Sequence, residues 1–164
     1  MASNGKWIEG IGPESRIEDA ARRSLEPRLA AVARCLPPAA HLAQHDIEHV
    51  HRLRVATRRA VAALKLYREF VPRKPARWLK KRLRKIRRAA GDARDLDVLK
   101  QRIAEEYGER IAPILEVISA EREAVQPAIV RIAARCGKDH KFVRTTAKLL
   151  ERIGADQPHD DVVQ

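Results

Sequence analysis

An all-α fold, arranged as an antiparallel up-and-down bundle of about four long helices, follows from three features of the sequence. Aromatic residues make up only 4% of the 164, while Ala, Leu, Arg and Glu dominate. That balance favours helices packed through small aliphatic side chains over a sheet. Apolar residues recur at spacings of three and four along most of the chain, without the period-two alternation of strands. Pro37-Pro38, Pro72 and Pro75 fall at joints between the periodic stretches, where short links of the kind found in bundles are expected. The length fits one domain with a core of its own.

The elements follow in order. Residues 1–13, rich in Gly and ending at Pro13, read as an extended lead-in. A first helix over 14–36 carries Ile17, Ala21, Leu25, Leu29, Val32 and Leu36 on one face. Pro27 within it predicts a kink, because proline removes a helical donor and crowds the preceding turn, and Pro37-Pro38 predict its end. A second helix covers about 45–71, with Asp46 near its start and Pro72 beyond its end. A third begins near Ala76 with Leu79, Leu83, Ile86 and Ala90 on one face. Beyond Gly91 the apolar positions Leu96, Leu99 and Ile103 rotate away from that stripe at about 100° per residue. A kink or restart at Gly91-Asp92 is therefore expected, with Asp92 as the new cap. A fourth long helix covers about 109–135, with Pro127 inside and Gly137 ending it, and a short helix covers 141–153. The domain thus runs over 14–153, and the tail 154–164 reads as disordered.

Charge is the second message. The formal net charge is +12 and the pI about 10.4, which implies an anionic partner without specifying a fold. Between Arg52 and Arg102 stand 19 Lys or Arg against Glu69, Asp92, Asp95 and Asp97, a local balance of +15 that exceeds the whole-chain value. The rest of the protein is slightly acidic, so the charge is concentrated on the second and third helices.

On a helical wheel His51, Arg54, Arg58 and Lys65 share one stripe about 60° wide, and Arg59 lies off it. That stripe borders the core side, formed by Val50, Leu53, Thr57, Val61 and Leu64. On the third helix Lys80, Arg84, Arg87 and Arg94 likewise flank the apolar face. A solvated face normally mixes signs, whereas arginine forks in a row suit phosphate oxygens and lysines add mobile point charges.

Other chemistries find less support. Cys35 and Cys136 show no CxxC spacing and read as ordinary thiols of a reducing compartment. His41, His45 and His49 have i, i+4, i+8 spacing but lack further ligands nearby, so no metal is assigned. Asp92, Asp95 and Asp97 among arginines read as salt-bridged, and no P-loop or nucleophile motif is present, so neither a catalytic site nor a cofactor is expected. No apolar run approaches the about 18 residues of a membrane span, and MASNGKWIEGIGP lacks the apolar core of a secretory signal. A cytoplasmic location without membrane association is the default expectation.

Two motifs carry a resemblance. H-x-x-R-V-x-x-R-R, here His51, Arg54, Val55, Arg58 and Arg59, precedes G-x-x-R-D-x-D-V, here Gly91, Arg94, Asp95, Asp97 and Val98. In this order the pair resembles the CHAD domain, a conserved-histidine α-helical domain, and the lead-in KWIEGIGP is similar to the start of stand-alone bacterial members. The resemblance implies a helical fold with a basic groove that binds inorganic polyphosphate, no catalytic site, and association with polyphosphate granules. It also implies that His51, Arg54, Arg58 and Arg59 face phosphate, with Lys65 on the same stripe. Arg84, Arg87, Arg88 and Arg94 would form the facing wall, with Asp95 and Asp97 orienting the arginines or serving structure.

The resemblance covers about 11–135, one of the two similar helical halves of a full CHAD domain, without a CYTH domain. It leaves three alternatives open: another copy of the chain or another CHAD half completes the groove, binding is weaker, or the chain is degenerate or truncated. A nucleic-acid-binding basic helical protein is the competing reading. It lacks a recognisable helix-turn-helix, zinc-finger spacing or aromatics interleaved for base stacking.

Overall fold

The computed structural model describes Ile8 and residues 10–154. Most of the lead-in and nearly all of the tail read above lie outside the described residues. Among those described, no strand occurs, and five α-helices are joined by short links: α1 (Ile17–His41), α2 (Glu48–Leu66), α3 (Arg73–Tyr107), α4 (Ala112–Gly137) and α5 (Lys141–Glu151). The expected all-α bundle is present.

α1 opens with Glu18 and Asp19 in its first turn, where carboxylates complement the helix dipole. Ala21, Leu25, Leu29 and Val32 on its inner face are completely buried. Pro37 and Pro38 do not end it. The helix continues through both to His41, and its last turn closes by a hydrogen bond from the Leu42 N–H to the Pro38 carbonyl at 2.8 Å. A proline inside a helix costs about 3 kcal/mol. Here tertiary structure offsets that cost, because Ala39 and Ala40 are buried and their carbonyls accept hydrogen bonds from the Gln126 side chain at 3.0 and 2.8 Å.

The Asp46 carboxylate accepts the Glu48 N–H at 2.8 Å at the start of α2. Val50, Leu53, Thr57 and Leu64 are buried and Val61 is partly buried, so the core face of this helix is the one the wheel identifies. Thr57 satisfies its hydroxyl on the Leu53 carbonyl at 2.8 Å. α2 ends at Leu66, about a turn before the expected Val71. Val71 precedes Pro72, which disfavours helical backbone there, and the chain unwinds ahead of it.

α3 differs most from expectation. It starts at Arg73 and runs unbroken for 35 residues, about 52 Å, with no restart at Gly91-Asp92. Pro75 is harmless in the first turn, where N–H groups lack helical partners anyway. The buried stripe continues past Ile86 and Ala90 through Ala93 to Asp97, while Leu99 stays 43% exposed. The apolar stripe read downstream of Gly91 is thus a flank, and the true inner position is occupied by a carboxylate. Asp92 is an exposed residue inside the helix, not a cap. Gly108, at φ 61, ends α3 in a conformation that costs glycine little.

α1 packs on α2, α2 on α3 and α3 on α4, and α4 returns to α1. α5 follows two residues in left-handed conformation, Asp139 and His140, and lies across one end of the bundle. There Arg22 Nε donates to the Leu150 carbonyl at 3.3 Å, the Gly154 N–H to the Phe70 carbonyl at 3.4 Å, and the Phe142 ring lies tilted against Trp78 with centroids 6.4 Å apart. The end so closed gathers the start of α1, the end of α2 and the start of α3.

Candidate anion-binding surface

The antiparallel α2–α3 pair positions the basic side chains. Arg54 of α2 reaches across to α3, where its Nη1 lies 3.0 Å from Asp95 Oδ1. A Cβ at position 91 would stand 3.4 Å from that same Nη1. That is an ordinary contact distance, so the Arg54 guanidinium lies directly over Gly91 on α3. One turn away, Arg94 turns back toward α2, with Nη1 3.9 Å from Glu48 Oε1. Its side chain is only 18% exposed, and Nη1 is buried without a hydrogen-bond partner.

These two contacts orient α3. Lys80, Arg84, Arg87, Gly91 and Arg94 follow one another at spacings of four and three, which keeps them on one flank. Because Gly91 touches Arg54, that flank is the one bordering α2. Lys80, Arg84 and Arg87 are exposed on it, and Arg88 is exposed beside it. On α2, His51 is half-buried, Arg54, Arg58 and Lys65 are exposed, and Arg59 is half-buried and engaged in a contact of its own. Among the described residues Arg58, Lys65, Lys80, Arg84, Arg87 and Arg88 hold no ion pair. Unpaired cations side by side repel one another and are stabilised by any anion with closely spaced charges.

The two motif aspartates part company. Asp95 is largely exposed and engages Arg54. Asp97 points into the bundle with its side chain 4% exposed, and its Oδ1 receives Arg122 Nε of α4 at 2.7 Å. Arg122 passes a second hydrogen bond to Gln126 at 3.0 Å, and Gln126 clamps the end of α1. This chain of contacts ties three helices together behind the basic surface. Glu48, Arg122 and Gln126 escaped the sequence reading. The available signal was a polar pair at i, i+4 between the buried Ile118 and Ile129 of α4.

A cleft of about 640 Å³ lies beside this network, between α3, α4 and the α1–α2 link. Its charged lining, Asp97, Lys100, Arg122 and Glu123, cancels formally, so it offers a polyanion nothing comparable to the α2–α3 surface. His41 lies in α1 and His49 in α2, so the three evenly spaced histidines do not share a helix. Among the described residues, no group of three or more His, Cys, Asp or Glu is placed to hold a metal, and no helix is long and apolar enough to cross a membrane. Burial pushes both cysteine thiols up from their ordinary value, opposed by Arg34 and Arg52 at Cys35 and by Arg82 at Cys136.

The role of Gly91 is testable. Gly91→Ala is expected to stabilise the protein by about 0.5–1 kcal/mol, since alanine suits a helix interior and the only close neighbour is a mobile guanidinium. Gly91→Leu should instead displace Arg54. Urea unfolding of both variants, with anion binding measured in parallel, separates the two effects.

The family model described as the CHAD domain matches residues 23–163. The chain belongs to the CHAD-domain family. The CHAD match takes in the α2 and α3 motifs together and continues beyond residue 135 across α5, further than the stretch over which the motifs alone carry the resemblance. The comparisons with curated proteins and with solved structures return no match.

Proposed function

We propose that this CHAD chain binds inorganic polyphosphate, without catalysing a reaction on it, in a basic groove between α2 and α3. His51, Arg54, Arg58, Arg59 and Lys65 form one wall; Lys80, Arg84, Arg87, Arg88 and Arg94 form the other. The observation that carries the reading is the seat of Arg54 on Gly91, which brings the two motifs against each other. With the helices fixed that way, exposed cations without carboxylate partners line both sides of one seam.

A linear polyanion suits such a seam better than a single phosphate does. Its charges are closely spaced and collinear, so each cation meets an oxygen without the ligand having to bend, and bound counterions are released in proportion. Asp95 holds Arg54 through an exposed pair, worth about 0.2–1 kcal/mol. A phosphate oxygen therefore displaces or shares it at small cost. The strong ion pair, Asp97–Arg122, faces away from the seam and keeps α3 in position.

Competition tests the assignment. Long-chain polyphosphate is expected to resist displacement by duplex DNA or by RNA at equal phosphate concentration, and its affinity to fall steeply with salt. Displacement by nucleic acid at that ratio would replace this reading with the nucleic-acid alternative.

A further inference from the structure

α5 carries a basic face that the motifs do not include. Phe142 and Leu149 are buried against the bundle, and Arg144 and Lys148, one turn apart, are exposed on the other side. Lys141 sits at the edge of the same face. Like charges one turn apart repel along a helix. Nearby acids do not relieve them: Asp139 precedes the helix and Glu151 is its last residue, and neither holds an ion pair with Lys141, Arg144 or Lys148.

The position of α5 gives this face its meaning. Between Arg73 and Arg88, α3 carries ten Lys or Arg and no acid. Those cations surround all of the helix except its buried stripe. One flank borders α2, as Gly91 shows, and the other carries Trp78 and Arg82. Lys141 of α5 lies 5.8 Å from the Trp78 ring centroid and Arg82 lies 5.1 Å from it. The aromatic ring thus holds a cation from α3 and a cation from α5 close together. Exposed Arg77 and Lys81 bridge the two flanks over the outer surface of α3. The positive surface continues from the α2–α3 seam, over the start of α3, onto α5.

We propose that Lys141, Arg144 and Lys148 form a second anion track, continuous with the groove, so that one long polyphosphate chain leaves the α2–α3 seam and wraps onto α5. The inference rests on the polyphosphate reading of the groove. The two tracks run in different directions, since α5 crosses the end of the bundle, and only a chain long enough to turn the corner occupies both. The protein therefore discriminates by chain length. A short chain gains only the seam, whereas a long one gains a tethered second contact without a second loss of translational freedom.

The test compares tripolyphosphate with a polyphosphate of several tens of phosphates, using wild type, Arg144→Gln/Lys148→Gln and Arg54→Glu/Arg58→Glu. The α5 pair is exposed and without partners, so its removal leaves the fold intact, which circular dichroism checks. Expected for the α5 variant is a loss of about tenfold or more in long-chain affinity. Its salt slope becomes shallower by about 2, and tripolyphosphate affinity is unchanged. Unchanged long-chain affinity and slope in the α5 variant, or an equal loss for both ligands, overturns the second track and leaves the groove standing. Retention of long-chain binding by the Arg54/Arg58 variant overturns the groove reading itself.

Discussion

Charge reversal at Arg54 and Arg58 together is expected to abolish retention of long-chain polyphosphate. In the proposed groove each guanidinium would donate hydrogen bonds to an anionic oxygen, worth about 1.5–3 kcal/mol apiece. Losing two therefore costs at least about a hundredfold in affinity. The slope of log K against log salt should become shallower by about 2, because two fewer counterions are released. Arg58 is exposed and unpaired, whereas Arg54→Glu also sets a carboxylate against Asp95, so circular dichroism of the variant separates lost binding from lost fold. Replacement by lysine preserves charge and removes the planar fork, and should leave an intermediate affinity. Binding isotherms at several salt concentrations read out all of these effects. Unchanged affinity in the Arg54→Glu/Arg58→Glu variant would falsify the groove.

The second large effect concerns stability. Asp97→Ala or Arg122→Ala leaves one member of a buried ion pair without its partner, a change that costs about 3–5 kcal/mol. In a domain of this size each kcal/mol lowers the melting temperature by about 2–4 °C, so a drop of at least about 6 °C is expected. Arg122→Ala should fare worst, because Gln126 then also loses the guanidinium that orients its amide. The apolar pair Asp97→Leu/Arg122→Met is expected to recover most of the loss, since a buried pair adds little over well-packed hydrophobic residues of similar volume. Thermal unfolding compares the wild type with these three variants. A double variant that falls by the sum of the two single losses would show that the pair is not coupled.

Arg122 also explains where sequence reading misled. The rotation of the apolar stripe beyond Gly91 suggested a restart, because a hydrophobic period assumes that inner positions are apolar. On α3 the inner position after Ala93 is Asp97, made tolerable by a cation on a helix 25 residues further along the chain. No local pattern announces such a pairing. The prolines at 37 and 38 misled for a similar reason. Their local cost is real, but burial of Ala39 and Ala40 and the Gln126 clamp offset it from α4.

Local signals were faithful wherever the deciding interaction was local. The periodicity of α1 and α2 identified buried faces correctly, from Leu25 and Leu29 to Val50 and Leu53. Asp46 lies at the start of α2 as its side chain requires. The basic stripe on each helix was equally legible, because the wheel relates residues within a turn or two.

The sequence alone therefore determined the helical class, the inner face of each early helix, the concentration of charge on α2 and α3, and through two motifs the family. Only the tertiary structure decided how those stripes face one another. Gly91 receives Arg54, Asp97 turns inward to Arg122, and α5 lies across the end of the bundle with its cations outward. The physical reason is range: hydrophobic period and helix propensity act over about 3.6 residues, whereas an ion pair or a cation on an aromatic ring depends on packing between segments far apart in sequence. For a surface made of charge, that packing sets which cations a single anion can reach.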